Sequence, residues 1–158
     1  MELKELMKKF GEETGLTKLV PDADGVYRLE IDERAVSLAE IDSGRRLVTW
    51  SSVGELPPDG RETFYRLLLE EMFMARGTAG SSFALEPDND TLFLQRTDAL
   101  EAMDYEGFKA MFETFVNVGD HWAKLVADFS PLASELTKEK DAAQDEITRL
   151  GASDFMQV

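Results

Sequence analysis

Three short segments between residues 26 and 53 constrain the fold of this chain more than any other feature of its sequence. In residues 26–32, apolar side chains alternate with charged ones at every second position, which is the period of a strand with one buried face. Residues 35–41 and 46–53 are the second and third predicted strands. Because the links between them are short enough for hairpins, we expect an antiparallel meander with one face toward water.

Helices and a second hairpin are predicted around this meander. Residues 3–10 carry apolar side chains at the spacing of an amphipathic helix. Residues 83–87 and 91–96 predict a hairpin with a strong turn signal between them. A long helix is expected from an N-cap at Asp104 to about Phe129. The predicted fold is therefore α+β: helix, three-stranded antiparallel meander, helix, two-strand hairpin and helix, plus an extra C-terminal helix or tail.

The helix predicted for residues 60–76 is apolar on more than one side. Asp59 is its predicted N-cap, with Glu62 as the partner in a capping box. Such a helix must be covered over most of its circumference. Since a chain of 158 residues offers little sheet for this purpose, we expect a second subunit to cover it, in a homodimer.

The last part of the chain is predicted to be separate from the rest. Ser130 and Pro131 end the long helix, so we expect one α+β domain over residues 1–130 and a helical extension or tail over residues 131–158. We expect the extension to form an ordered helix only where it contacts another surface. It can pack on a dimer, contact a binding partner or stay frayed. Its sparse apolar stripe consists of Leu132, Leu136, Ala143, Ile147 and Leu150.

Charge and composition exclude several functional classes. The net charge is −15, so the surface should repel phosphate backbones and anionic lipids, and we expect neither nucleic-acid nor membrane binding. The chain contains no cysteine and one histidine, which excludes disulfides, thiolate metal sites and most catalytic and zinc constellations. The sequence predicts a cytoplasmic protein without metal or cofactor.

Three segments resemble catalytic or ligand motifs, and each has a simpler interpretation. His121 has no second catalytic group in a known motif, so we expect it on the polar side of a helix. Residues 22–25 fail as a calcium loop because the required ligand positions are apolar. Residues 77–82 lack the lysine of a phosphate-binding loop. No catalytic residue is therefore predicted.

The order of elements and several segments together resemble the class I type III secretion chaperones of the CesT-like (Tir chaperone) family. The segments that carry the resemblance lie between residues 3 and 128. They are DGVYRLEID in the first strand, LVTWSSVGELP from the third, FYRLLLEEMF leading through GTAGSSFALEPDNDTLFLQR, and FETFVNVGDHWAKLV near the end.

The resemblance implies a homodimer without catalytic activity. Such chaperones hold the N-terminal segment of a secreted effector, their client, soluble and secretion-competent in the bacterial cytoplasm, with the secretion ATPase as a further partner. The client-binding residues expected by resemblance are Leu3, Leu6, Met7 and Phe10 in the first helix and Val36, Leu38, Val48 and Trp50 in the strands. The expected dimer interface consists of Phe64, Leu68, Leu69, Met72 and Phe73.

Two points stay open in the sequence. Which face of the strands binds the client is undecided, because a shift of one residue reverses every side chain. A cytoplasmic adaptor or regulatory binding domain of the same fold outside secretion is the alternative function, and a small enzyme acting through carboxylates is a third. The substitution Leu68→Asp is expected to give monomers or aggregates if the helix around it forms the dimer.

Overall fold

The computed structural model describes residues 1–16 and 19–130, and the predicted extension over residues 131–158 lies outside them. The described residues form three helices and a five-stranded sheet. The elements are α1 Leu3–Thr14, β1 Tyr27–Ile31, β2 Arg34–Ile41, β3 Arg46–Glu55, α2 Arg61–Met72, β4 Ser82–Glu86, β5 Thr91–Ala99 and α3 Tyr105–Asp128. This confirms the predicted α+β class and the order of its elements.

The meander and the second hairpin join into one antiparallel sheet with the strand order β1-β2-β3-β5-β4. The connection is made by β3 and β5, which pair from Arg46 opposite Ala99 to Glu55 opposite Thr91. The two-residue turn between β1 and β2 is formed by Asp32 and Glu33, both with positive φ, as tight hairpins of this twist require.

The core lies between one face of the sheet, called the inner face here, and the three helices. Side chains of α1, α2 and α3 share one buried cluster with the inward side chains of the strands. The largest fully buried side chains include Trp122, Phe64, Phe108 and Phe115. Successive side chains of a strand point to opposite faces of the sheet, so the other half of them lie on an outer face. Within the described residues, the helices all pack on the inner face and leave the outer face uncovered.

At the bulge in β3, sheet and helix approach each other closely. The pairing of β3 with β5 shifts between Ser52 and Gly54. Gly54 has a φ of 135°, and a Cβ atom there would lie 2.7 Å from Cγ1 of Val126 in α3. Only glycine combines this backbone conformation with so short a distance between strand and helix.

Two predictions for α2 are wrong. The residue before the helix is Gly60, with a φ of 68° and no side-chain cap, so Asp59 lies one residue too early to be the N-cap. The helix also ends at Met72 instead of continuing to residue 76, because Met74 adopts a left-handed conformation in the short 3-10 turn that follows. By contrast, the N-cap at Asp104 is confirmed: its carboxylate accepts a hydrogen bond from the backbone N–H of Gly107 at 2.8 Å.

Candidate interaction surfaces

An apolar ridge follows the outer side of α2. Phe64 and Leu68 point into the core, which turns the residues that follow each of them outward. Tyr65, Leu69 and Phe73 therefore form the α2 ridge, with exposed fractions of 39%, 68% and 66%. Two of these side chains lie on α2 and the third follows directly after it, and together they form an exposed apolar patch of the kind typical of interaction sites.

A groove lies between the α2 ridge and the edge strand β4. Met72 and Leu85 line it together with Leu69, and Leu85 is itself 42% exposed. Beyond the helix, Met74 is 80% exposed. The apolar surface thus extends from α2 onto β4 and onto the turn after α2.

The residues predicted for the dimer interface are divided by this geometry. Phe64 and Leu68 are 0% and 5% exposed and belong to the core of the subunit, so a surface role for them is corrected. Leu69 and Phe73 lie on the α2 ridge, and Met72 is half-buried in the groove beside it. Because α2 carries two apolar stripes, the periodicity of its sequence does not show which of them faces inward.

A second apolar surface lies on the outer face of the sheet. Val48, Trp50 and Phe93 are half-buried there, and we call these three residues the outer sheet patch. Trp50 and Phe93 line a shallow pocket with Ala84. The residues that pair with Val48 and Trp50 on the two neighbouring strands carry no charge: Ala39, Ser37, Thr97 and Gln95.

This uncharged patch stands out in a chain in which 31% of the residues are charged. Ser37 is only 7% exposed although it lies on the outer face, opposite Trp50. The arrangement offers an aromatic platform with polar but uncharged neighbours, which suits an apolar side chain or an extended backbone of a partner.

Five residues predicted to bind a client belong to the core instead. Leu3, Leu6 and Met7 of α1 are at most 1% exposed, since their stripe faces α3 and the sheet. Val36 and Leu38 are 0% exposed on the inner face. The expectation that these five residues lie on the surface is therefore corrected. No client can reach them while the subunit keeps this core.

The remaining residue of the α1 stripe, Phe10, is half-buried at the mouth of a groove. Its ring contacts Phe112 edge-on, with centroids 5.2 Å apart, and Ile31 and Val116 line the groove beside it. Phe10 thus retains some accessible surface. It lies on the helical side of the sheet, whereas Val48 and Trp50 lie on the other side.

A polar cluster next to this groove fastens α1 to α3. The phenol of Tyr105 donates a hydrogen bond to Glu13, and the ammonium of Lys109 lies 3.1 Å from the same carboxylate. Loss of hydration and the bond to Glu13 raise the pKa of Tyr105 to about 12. The hydrogen bond from Tyr105 and, after it, the one from Lys109 lower the pKa of the Glu13 carboxyl. The cluster is structural and keeps Phe10 against α3.

Sequence reasoning missed several apolar residues that are exposed or, like Phe93, half-buried at the surface. Tyr65, Phe93 and Leu85 belong to the surfaces above, and Val20 is 75% exposed next to a groove along α1. The signal for Phe93 is its position between Leu92 and Leu94, both buried. Alternation within β5 places Phe93 on the face opposite these two leucines.

The structure places two of the motif-like segments on the surface and in a turn. His121 is exposed on α3. Asp22 uses one carboxylate oxygen to accept the backbone N–H groups of Asp24 and Val26, at 2.9 and 3.0 Å, in a turn before β1. Within residues 1–16 and 19–130, no group of three or more acidic, histidine or cysteine side chains is placed to hold a metal ion.

No helix in the described part of the chain is long and apolar enough to cross a membrane.

Comparison with solved structures shows the fold of this chain in several complexes. A chain of the ExsC–ExsE complex has a TM-score of 0.66 at 21% identity, over 80% of this chain and 97% of that one. A chain of the HopA1–SchA chaperone–effector complex has a TM-score of 0.63 at 16% identity, over 77% and 92%. A chain from the complex of the Yersinia pestis type III secretion chaperone SycH with a fragment of YscM2 has a TM-score of 0.58 at 22% identity, over 73% and 94%.

Sequence comparison gives the family. No curated protein matches the chain. Residues 5–123 match the Tir chaperone protein (CesT) family, which confirms the resemblance found in the sequence. Because this match extends over most of its length, the chain belongs to the Tir chaperone (CesT) family.

Proposed function

We propose that this protein is a homodimeric chaperone of the bacterial cytoplasm that binds the N-terminal segment of a type III secreted effector. It keeps that segment soluble and ready for the secretion ATPase. Its action is binding and not catalysis. The proposal is supported by membership in a chaperone family and by the fold shared with chains of chaperone complexes.

The observation that carries the proposal is that two separate apolar surfaces lie on different elements. The α2 ridge is one, and the outer sheet patch is the other. A dimeric chaperone needs one surface for the second copy and another for its client. We assign the α2 ridge to the second copy and the outer sheet patch, with Phe10 as a further contact, to the client.

The charge of the protein fits a role in solubility. A net charge of −15 keeps a complex with an unfolded, apolar segment in solution, and it attracts basic segments of a client at long range. Ion pairs on the surface, such as Arg66 with Glu70 on α2, leave the excess of negative charge unchanged.

The function is tested by isolating the tagged protein from its native cytoplasm and measuring the native mass of what is bound. We expect a complex of two copies with one secreted protein, lost when the N-terminal segment of that protein is deleted. A clean dimer without a partner, from cells that express a secretion system, would contradict the proposal and favour the adaptor alternative.

Leu69→Asp is expected to convert the dimer to a monomer that stays folded. Leu69 is 68% exposed in the subunit, so the carboxylate is hydrated in the monomer and would lose water only in the interface. We expect dimerisation to weaken at least about a hundredfold, since burying an unpaired charge costs several kcal/mol. Sedimentation equilibrium measures the change. Ala110→Asp, at an exposed position of α3, is the matched control and should leave the dimer intact.

The substitution Leu68→Asp, which the sequence suggested, cannot test the dimer interface. Leu68 is 5% exposed, so a carboxylate there would be buried in the core and unfold the subunit. A Leu69→Asp protein that is still a dimer would show that the second copy uses a different surface.

Trp50→Ala is expected to weaken client binding about 30-fold, because an aromatic side chain at the centre of a contact contributes about 2 kcal/mol or more. Its half-buried position should limit the change in the free energy of unfolding to about 1 kcal/mol. Titration calorimetry with the client segment found in the isolation experiment measures the affinity. Trp50→Phe should retain most of it, and unchanged affinity in Trp50→Ala would remove the outer sheet patch from the client site.

A further inference from the structure

We infer that an ion pair between Glu62 of one copy and Arg76 of the other holds the two copies of the proposed dimer antiparallel across the α2 ridge. This deepens the proposed function, since it rests on a second copy covering that ridge. Three observations support it: the spacing of residues along α2, the opposite charges at the two ends of the ridge, and the exposed apolar area between them.

The exposed side of α2 has the same spacing in both directions from its centre. Leu69 lies at the centre, and the other two residues of the α2 ridge, Tyr65 and Phe73, are each four positions away from it. Charged residues follow three positions further out, Glu62 on one side and Arg76 on the other. A two-fold axis at Leu69 would therefore exchange the two ends and bring opposite charges together.

Glu62 lies at the N-terminal end of the α2 ridge. It is an exposed residue in the first turn of α2, and it lines one shallow hollow together with Tyr65, Leu69 and Phe73. The seven positions from Glu62 to Leu69 make about two helical turns, so both side chains point to the same side, about 10 Å apart along the axis.

Arg76 lies at the C-terminal end of the ridge, although it follows the helix. Its Nη2 donates a hydrogen bond to the carbonyl oxygen of Glu70, in the last turn of α2, at 3.3 Å. Its guanidinium carbon lies 5.8 Å from the centre of the Phe73 ring. These two contacts place an exposed cation at this end of the helix, where the helix dipole also favours it.

The charges distinguish between the two ways of packing two ridges together. In an antiparallel pair, Tyr65 lies opposite Phe73 of the second copy, and Glu62 lies opposite Arg76 at both ends. In a parallel pair, Glu62 would face Glu62 and Arg76 would face Arg76, which is repulsive at both ends. Each copy carries a net charge of −15, so the two copies repel at long range and the paired ends offset part of this repulsion.

The exposed apolar area is close to what a second copy requires. At roughly 200 Å² for a large side chain, the exposed parts of the apolar residues in and around the α2 ridge amount to about 600 Å² per copy. These residues are Tyr65, Leu69, Phe73, Met74 and Leu85. A stable interface takes about 800 Å² from each partner and has a polar rim, which the charged ends of the ridge would supply.

Charge reversal in the full chain tests this pairing. Glu62→Arg and Arg76→Glu each turn two attractive contacts of the dimer into repulsive ones, so we expect either variant to dimerise about tenfold more weakly. Sedimentation equilibrium measures the change. Glu113→Arg and Lys124→Glu, at exposed positions of α3, make the same changes in net charge and should stay within about twofold of the unchanged chain.

Mixing the two variants separates a contact between copies from an effect within one copy. A Glu62→Arg subunit and an Arg76→Glu subunit have opposite charges at both ends of their shared interface, so we expect a heterodimer about as tight as the unchanged dimer. Native mass spectrometry detects it with a mass tag on one variant, at a concentration at which each variant alone is mainly monomeric. Mixing Glu113→Arg with Lys124→Glu should give no such gain.

A mixture that is as monomeric as its two components would overturn the inference, because the weaker dimers would then reflect changes within each subunit. Dimers that are insensitive to both reversals would also overturn it, while leaving the proposed homodimer intact. If Arg76→Glu weakens client binding instead of the dimer, this end of the ridge belongs to the client and the inference is wrong. An unchanged chain that is monomeric at every concentration would contradict the proposed homodimer itself, and the inference with it.

Discussion

Replacing Trp122 with alanine is expected to lower the free energy of unfolding by about 4 kcal/mol, the typical cost of removing a large buried aromatic side chain. Trp122 is 1% exposed, and its ring meets that of Phe83 edge-on at 4.6 Å. Its indole Nε1 donates a 2.8 Å hydrogen bond to the carbonyl oxygen of Gly77. The substitution leaves a cavity and an unpaired carbonyl group at the same time.

Urea denaturation followed by circular dichroism, at one fixed protein concentration, measures this effect. Trp122→Phe is the control that separates the two contributions. It keeps most of the ring but not the donor, so we expect about 2 kcal/mol. Equal losses in both variants would mean that the hydrogen bond to Gly77, and not the packing, dominates at this site.

Gly119→Ala is expected to lower the free energy of unfolding by about 2 kcal/mol, less than the cost of breaking a fully buried ion pair because Asp120 is 33% exposed. A Cβ atom at this position would lie 2.2 Å from Nη1 of Arg34. The guanidinium is 10% exposed and donates to Asp120 Oδ1 at 2.7 Å and to the Val116 carbonyl oxygen at 2.9 Å. Displacing it would leave these groups without their donor.

The sign of this effect is informative, because helix propensity alone predicts the opposite. Glycine to alanine inside a helix normally stabilises by about 0.5–1 kcal/mol. The matched comparison is the same substitution in an Arg34→Met background, where the clash with the guanidinium is removed. Chemical denaturation of the four proteins gives the coupling. If Gly119→Ala costs the same in both backgrounds, the close approach to Arg34 is not the reason for glycine.

The local part of the fold was predictable from the sequence. Alternation identified the strands to within one to three residues at each end, and Asp104 marked the start of α3. These features depend on neighbours in the chain, so a window of residues contains the information. The end of α2 was missed because the left-handed conformation of Met74 has no signal in its own residue type.

The sequence could not show which of the candidate strand residues share a face, because register is not a local property. Val36, Leu38, Val48 and Trp50 were expected on one surface. In the sheet, Ser37 lies opposite Trp50 and Leu38 lies opposite Thr49. Val36 and Leu38 therefore point inward, whereas Val48 and Trp50 point outward. The turn between β2 and β3 sets this pairing, and one residue more or less would reverse it.

The sequence by itself determined the α+β class, the order of the elements and the strong negative charge. It also showed that α2 carries more apolar surface than one subunit easily covers. Only the tertiary structure decided that β3 and β5 join two hairpins into one sheet, and which apolar residues stay outside. The physical reason is that burial is a property of contacts between distant segments. Leu68 and Leu69 are adjacent and chemically identical, yet they are 5% and 68% exposed because the core lies on one side of their helix.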